Sequence, residues 1–267
     1  MSCLVGLAEW RLAESGVAAL SLAAAVGADG VQFDFGGPGR GEWLDAPGRI
    51  DALADAARAT GVRPLAVAGN HLNDVGLCSA EPALVRRVLE RLLDAAHALG
   101  VPLVFVPSFR RSAIDGPVAF ARTVEVLRWA ARQAEVRGLV LASENVLPAN
   151  QARALAERVG SPAFRLVLDT FNPVAAGLEP NLLVAEIGDL LADQVHLKDG
   201  PPDVGATPPL GTGAGRLDDT LDALRRHRVP VSAFVLENDY RDGNSARLAI
   251  DLAWARRGAR RSQSKVA

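Results

Sequence analysis

The chain reads as an α/β protein folded as a single (β/α)8 barrel, and three observations lead there. Short apolar runs alternate with helical stretches at a repeat of about 30 residues, the spacing of strand–helix units. Gly27, Gly61, Gly100, Gly138 and Gly160 each stand where a helix must end, a place that favours left-handed backbone angles. Finally, Glu144, Asp169, His196 and Glu237 each close an apolar run. In a parallel barrel the ends of successive strands meet on one rim, where barrel enzymes carry their chemistry.

Taken in order, Cys3–Ala8 is the first strand, followed by a helix over Arg11–Val26. Gly27-Ala28-Asp29-Gly30 turns the chain into the second strand, Val31–Phe35. Asp51–Thr60 is helical, with Leu53, Ala56 and Ala57 as its apolar positions, and Gly61 stops it before the strand Val62–Ala68. Pro82–Leu99 carries Leu84, Val88, Leu92 and Ala95 at helical spacing and gives way at Gly100 to the strand Val101–Val106. The same grammar predicts helices over Val118–Val136, Asn150–Val159, Leu182–Leu191 and Leu217–His227. Each leads into a strand: Gly138–Ser143, Phe164–Leu168, Gln194–Leu197 and Val231–Leu236. Ser245–Arg256 is the closing helix. The barrel is expected to span 1–258, leaving 259–267 as a basic, frayed and solvated tail. An open doubly wound sheet is the alternative, but the turn at Gly6 lacks the G-x-G-x-x-G fingerprint.

Composition narrows the function. A length of 267 residues accommodates one large barrel, and 49% hydrophobic with 22% charged residues is typical of a soluble globular chain. A net charge of −2 offers no basic surface for nucleic acid, and no apolar stretch is long enough for a membrane span. Cys3 and Cys78 form neither a CxxC pair nor a disulfide framework, and the N-terminus lacks a signal-peptide pattern. A cytoplasmic protein with a small-molecule substrate is expected, free to exist as a homo-oligomer.

Singly, the four rim residues have ordinary explanations: a turn cap for Asp169, a polar loop for Glu144, a core histidine at His196, a surface acid at Glu237. Together, on four consecutive strands, they make a site for one divalent cation, because crowded carboxylates repel unless a cation offsets them. Mostly oxygen donors with one imidazole favour Mn²⁺, Mg²⁺ or Co²⁺, with Zn²⁺ as a further option. Lys198 shares the strand parity of His196, so it can point inward to hold a substrate oxygen; a salt bridge to Asp169 or Asp199 is the plainer reading. Asn70 and His71, just past the third strand, are candidate substrate contacts, and Trp10 a candidate apolar wall. Arg241, with Arg110 and Arg111, lies in a rim loop where it could bind a carboxylate or phosphate, though solvation is the default. Gly211, Gly213 and Gly215 precede a helix and could cradle a phosphate, without forming a P-loop.

From Gly30 to Glu237 the chain resembles the xylose isomerase-like TIM-barrel superfamily of sugar epimerases, sugar-phosphate isomerases and endonuclease IV. The resemblance is carried by Gly30-Val31-Gln32-Phe33-Asp34, Ser143-Glu144-Asn145, Leu168-Asp169-Thr170-Phe171-Asn172, His196-Leu197-Lys198-Asp199, Leu210-Gly211-Thr212-Gly213-Ala214-Gly215 and Leu236-Glu237-Asn238. It implies that Glu144, Asp169, His196 and Glu237 are the metal ligands, and that Glu144 and Glu237 double as the proton-transfer pair. Asn172 stands where several sugar epimerases of the superfamily carry a histidine, which makes it a candidate substrate contact and a departure from the ketohexose-epimerase pattern. The implied activity is metal-dependent isomerisation or epimerisation of a sugar, sugar phosphate or related polyol ketone through a metal-stabilised enediolate. A dehydratase of the inosose or dehydroshikimate type is the runner-up. An endonuclease IV-like nuclease and a non-catalytic barrel are more remote.

Overall fold

A computed structural model describes residues 3–201 and 207–263. Its strands are β1 (Leu4–Ala8), β2 (Gly30–Asp34), β3 (Arg63–Ala68), β4 (Leu103–Pro107), β5 (Val140–Glu144), β6 (Phe164–Asp169), β7 (Leu191–Leu197) and β8 (Ala233–Leu236). They hydrogen-bond in chain order and close into a parallel barrel. β2, β4 and β8 are buried along their whole length, as strands covered on both faces must be. The helices are α1 (Val17–Val26), α2 (Arg49–Thr60), α3 (Leu72–Val75), α4 (Pro82–Leu99), α5 (Pro117–Val136), α6 (Ala149–Val159), α7 (Asn172–Ala175), α8 (Pro180–Ile187), α9 (Leu217–Arg226) and α10 (Ser245–Gln263).

Two compact units can be distinguished, Met1–Val31 with Thr60–Arg63 and Val167–Ala267, and Gln32–Ala59 with Pro64–Leu166. In the first, β8 lies between β7 and β1, with His196 and Gly6 both level with Val235. In the second, β4 lies between β3 and β5, and Pro107 is level with Glu144. Helix α4 shows how local chemistry sets the boundaries. Glu81 caps its start by accepting the Leu84 amide at 2.9 Å, Pro82 occupies the first turn, and Gly100 closes it at φ 75°. Val85, Val88, Leu89, Leu92, Leu93, Ala96 and Leu99 form its buried stripe.

Some boundaries differ from the sequence expectation. The helix expected from Arg11 begins only at Val17. Glu9–Arg11 form a 3₁₀ turn, Leu12 pairs with Tyr240, and Glu9 Oε1 accepts the Gly16 amide at 2.5 Å, so this segment is tied to other chain instead of coiling. The helix expected over Leu182–Leu191 ends at Ile187, and Leu191 starts the strand, where it is buried. The short helices α3 and α7 were not expected. The tail expected from residue 259 is helical as far as Gln263, because the buried row Leu248, Leu252, Ala255 continues to Ala259. Residues 264–267 lie outside the described residues.

Candidate metal centre

Asp169 is the last residue of β6, His196 the penultimate residue of β7, and Glu237 the first residue past β8; all three are buried. Strand ends set their separation. The Thr170 amide bonds the His196 carbonyl at 3.0 Å, and the Glu237 amide bonds the Leu197 carbonyl at 2.9 Å. Asp169 Oδ1 accepts the amides of Phe171 at 2.7 Å and Asn172 at 2.5 Å, opening α7, so one oxygen is engaged locally. Its Oδ2 is buried without a hydrogen-bond partner. Glu237 repeats the pattern. Oε1 accepts from Trp10 Nε1 at 2.9 Å and from Arg11, whereas Oε2 is buried, accepts no hydrogen bond and stands 3.4 Å from His196 Nδ1.

Glu144, buried at the end of β5, completes the set. One ligand atom from each of Glu144, Asp169, His196 and Glu237 lies within 4.8 Å of the others. Ligands on opposite sides of one ion are separated by about 4 Å, so the cluster is close to the dimensions of a shared ion. The donor set fits a divalent cation for a second reason: two buried carboxylate oxygens without donors are costly side by side. Electrostatics differ between the acids. Burial pushes Asp169 up to about 6, against the pull of the Lys198 charge, with Glu237 adding to the rise. Burial acts in the same direction on Glu237, but His196, Lys198 and Arg11 outweigh it and hold that carboxyl well below the usual range.

The other expected contacts are distributed unevenly. Lys198 Nζ donates to Asn172 Oδ1 at 3.0 Å, and its backbone is clasped on both sides by the Thr170 hydroxyl, at 2.7 and 2.9 Å. Trp10, expected as an apolar wall, offers its indole N–H to Glu237 and stands edge-on to the His196 ring at 6.1 Å. Asn70 is buried and acts on the Asp34 carboxylate through its side chain, and His71 packs edge-on against Trp43 at 5.0 Å with Nδ1 buried and unbonded. Burial lowers the His71 pKa, as do Arg40 and Arg91, while Asp74 opposes them. Arg241 pairs with Asp239, with contacts of 2.8 and 2.5 Å, on the exposed side of its loop. Arg110 is likewise paired with Asp74 at 2.7 Å.

Sequence reasoning missed a buried polar scaffold behind these residues. Asp199, read as a partner for Lys198, instead accepts the amides of Gly200, Gly211, Gly213 and Gly215, each at 2.9 Å. The glycine loop therefore turns its amides onto its own carboxylate, which corrects the expectation that they cradle a phosphate. Asn238 accepts the Asp199 amide at 3.0 Å and donates to Asp251 at 2.9 Å; Tyr240 donates to the same Asp251 oxygen at 2.7 Å. A signal existed, since Asp251 falls among Leu248, Leu252 and Ala255 on the apolar side of its helix, a position no acid occupies without partners.

The chain belongs to the family of xylose isomerase-like TIM barrels, whose model matches residues 20–258. It is an enzyme of the sugar isomerase and epimerase kind. It is 62% identical over 259 residues to the 2-epi-5-epi-valiolone 7-phosphate 2-epimerase of an Actinoplanes species, covering 97% of this chain and 96% of that protein. Solved structures repeat the fold. A xylose isomerase domain protein from Planctomyces limnophilus aligns over 100% of this chain and 99% of its own, with a TM-score of 0.80 at 17% identity. An L-ribulose 3-epimerase aligns over 98% and 96% with a TM-score of 0.74 at 20% identity. Among the described residues no helix is long and apolar enough to cross a membrane.

Proposed function

We propose that this enzyme epimerises a stereocentre adjacent to the carbonyl of a phosphorylated polyhydroxy ketone, a cyclitol phosphate of the kind named for its Actinoplanes relative. The observation that carries the reading is the convergence of Glu144, Asp169, His196 and Glu237 within 4.8 Å, joined to 62% identity with an epimerase. These four residues would hold a divalent cation, with Mn²⁺, Mg²⁺ or Co²⁺ suited to three carboxylates and one imidazole. When bound, such a cation supplies electrophilic stabilisation of the negative charge that develops on a carbonyl oxygen.

The chain's own residues do the remaining work. Glu144 takes the proton from the carbon beside the carbonyl, and a proton returned to the opposite face inverts the centre. Glu237, expected as the second member of the proton-transfer pair, has Oε1 held by Trp10 and Arg11, which leaves it the role of ligand. Lys198, steadied by Asn172 at 3.0 Å, donates to a substrate oxygen. Asn70 and His71, just past β3, contribute further polar contacts to substrate hydroxyls. The relative's name favours epimerisation over the dehydratase alternative. Free Cys3 and Cys78 support a reducing, cytoplasmic setting.

The test is incubation with cyclitol phosphates and ketose phosphates, with Mn²⁺ in deuterated water, followed by NMR. Deuterium incorporated beside the carbonyl with the molecular formula otherwise retained is the expected result. Loss of water would replace epimerisation by the dehydratase reading. Glu144→Gln should suppress exchange by at least the 10²–10⁴-fold typical of general base catalysis, with an unchanged circular dichroism spectrum; retained exchange would remove Glu144 from the role of base.

A further inference from the structure

The 3₁₀ turn Glu9–Arg11, directly after β1, delivers two side chains to one atom. Glu237 Oε1 accepts three N–H groups: Trp10 Nε1 at 2.9 Å, Arg11 Nη2 at 3.1 Å and Arg11 Nε at 3.2 Å. A carboxylate oxygen has two in-plane lone pairs, so three donors saturate it. The other oxygen, Oε2, is buried, receives no N–H from this turn and faces His196 Nδ1 at 3.4 Å. An ion pair built only for stability would join the arginine fork to both carboxylate oxygens. Here the fork closes on one, and the second is left facing His196 Nδ1 at 3.4 Å.

We infer that Trp10 and Arg11 are positioning residues for the metal centre: together they fix the carboxylate of Glu237 so that it presents Oε2 alone, as a one-oxygen donor, to a divalent cation. The inference rests on the metal reading given above. The backbone makes the clamp rigid. The Arg11 carbonyl accepts the Tyr240 amide at 2.8 Å, Leu12 bridges to Tyr240 in parallel, and the Tyr240 hydroxyl is anchored on buried Asp251 at 2.7 Å. The turn that carries the donors is therefore tied to the chain three residues beyond the acceptor, and the two cannot drift apart. Such outer partners set the orientation of a ligand and thus the affinity of the ion.

The experiment measures Mn²⁺ binding to the metal-stripped protein, reading free Mn²⁺ by electron paramagnetic resonance, for the parent chain and for Trp10→Phe, Arg11→Gln and Arg11→Lys. Trp10→Phe keeps an aromatic side chain and removes the indole N–H, so it remains informative even where Arg11→Gln fails to fold. Trp10→Phe and Arg11→Gln should weaken Mn²⁺ binding by about 10–100-fold while the stripped proteins keep the parent circular dichroism spectrum, and Arg11→Lys should recover part of the loss. Folded variants that bind Mn²⁺ as tightly as the parent would overturn the clamp and leave the metal reading standing. A parent chain that takes up no Mn²⁺ would overturn both.

Discussion

Arg241 and Lys198 carry the same charge just past neighbouring strands, and their surroundings give them different roles. Arg241 is 60% exposed and gripped by Asp239, which it holds down to about 2 through its hydrogen bonds. Such an exposed pair contributes little to stability, and its cation is already taken. Arg241→Ala should change kcat/KM by less than about threefold, a change of under 1 kcal/mol. The same variant should return Asp239 towards an ordinary value of about 3.9, followed by NMR titration. The sign follows from a depressed folded pKa: the pair's contribution is present above about 4 and is lost as pH falls through about 2. Lys198 is different, since its ammonium donates to a neutral amide, Asn172, and its charge acts on both Asp169 and Glu237. Lys198→Ala should therefore lower kcat by roughly 10²–10³-fold, the usual loss for a donor to a developing oxyanion. A loss below tenfold in steady-state kinetics would confine Lys198 to a supporting role.

Elements explain what was legible in the sequence. Periodicity and glycine stops located all eight strands and the longer helices between them because they are local signals: Gly100 ends α4 with the backbone angle its position demands. The four candidate ligands were legible for a related reason, since each ends a run and barrel geometry does the rest. What escaped depends on partners distant in sequence. Arg11 looked like a helix start, yet its side chain belongs to Glu237, 226 residues away. Asp199 looked like half of a local ion pair, yet it organises a loop reaching to Gly215. That organisation is testable. Asp199→Ala would strand four amide donors, and urea denaturation should report a loss of about 3–5 kcal/mol, the range for removing one partner of a buried charged network. Gly213→Ala should perturb the same loop from the other side, because a Cβ there would come within 2.5 Å of Asp199 Oδ1 and of the Gly200 carbonyl oxygen. About 1–3 kcal/mol is expected from such overpacking. At Gly27 a Cβ meets nothing within 4 Å, so Gly27→Ala carries only the strain of its φ of 77°, roughly 1 kcal/mol.

For the whole molecule the consequence concerns stability. The fold brings three carboxylates and an imidazole together in its buried interior, and at neutral pH most of that negative charge must persist if Glu237 is held well below its ordinary range. A cation that binds the folded chain and not the unfolded one offsets this burden and shifts unfolding by mass action. At a free concentration one hundred times its dissociation constant it adds about 2.7 kcal/mol, which raises the melting temperature of a chain of this size by roughly 5–10 °C. Differential scanning fluorimetry should show that rise when Mn²⁺ is returned to chelator-treated protein. Glu237→Gln and Asp169→Asn should both abolish it. Asp169→Asn should melt at or above the stripped parent, because burial already disfavours that charge. Glu237→Gln should melt lower, because it removes a charge that His196, Lys198 and Arg11 stabilise. An Asp169→Asn variant that melted well below the stripped parent, with a parent that Mn²⁺ did not stabilise, would mean that the cluster is a hydrogen-bonded scaffold instead of an ion site.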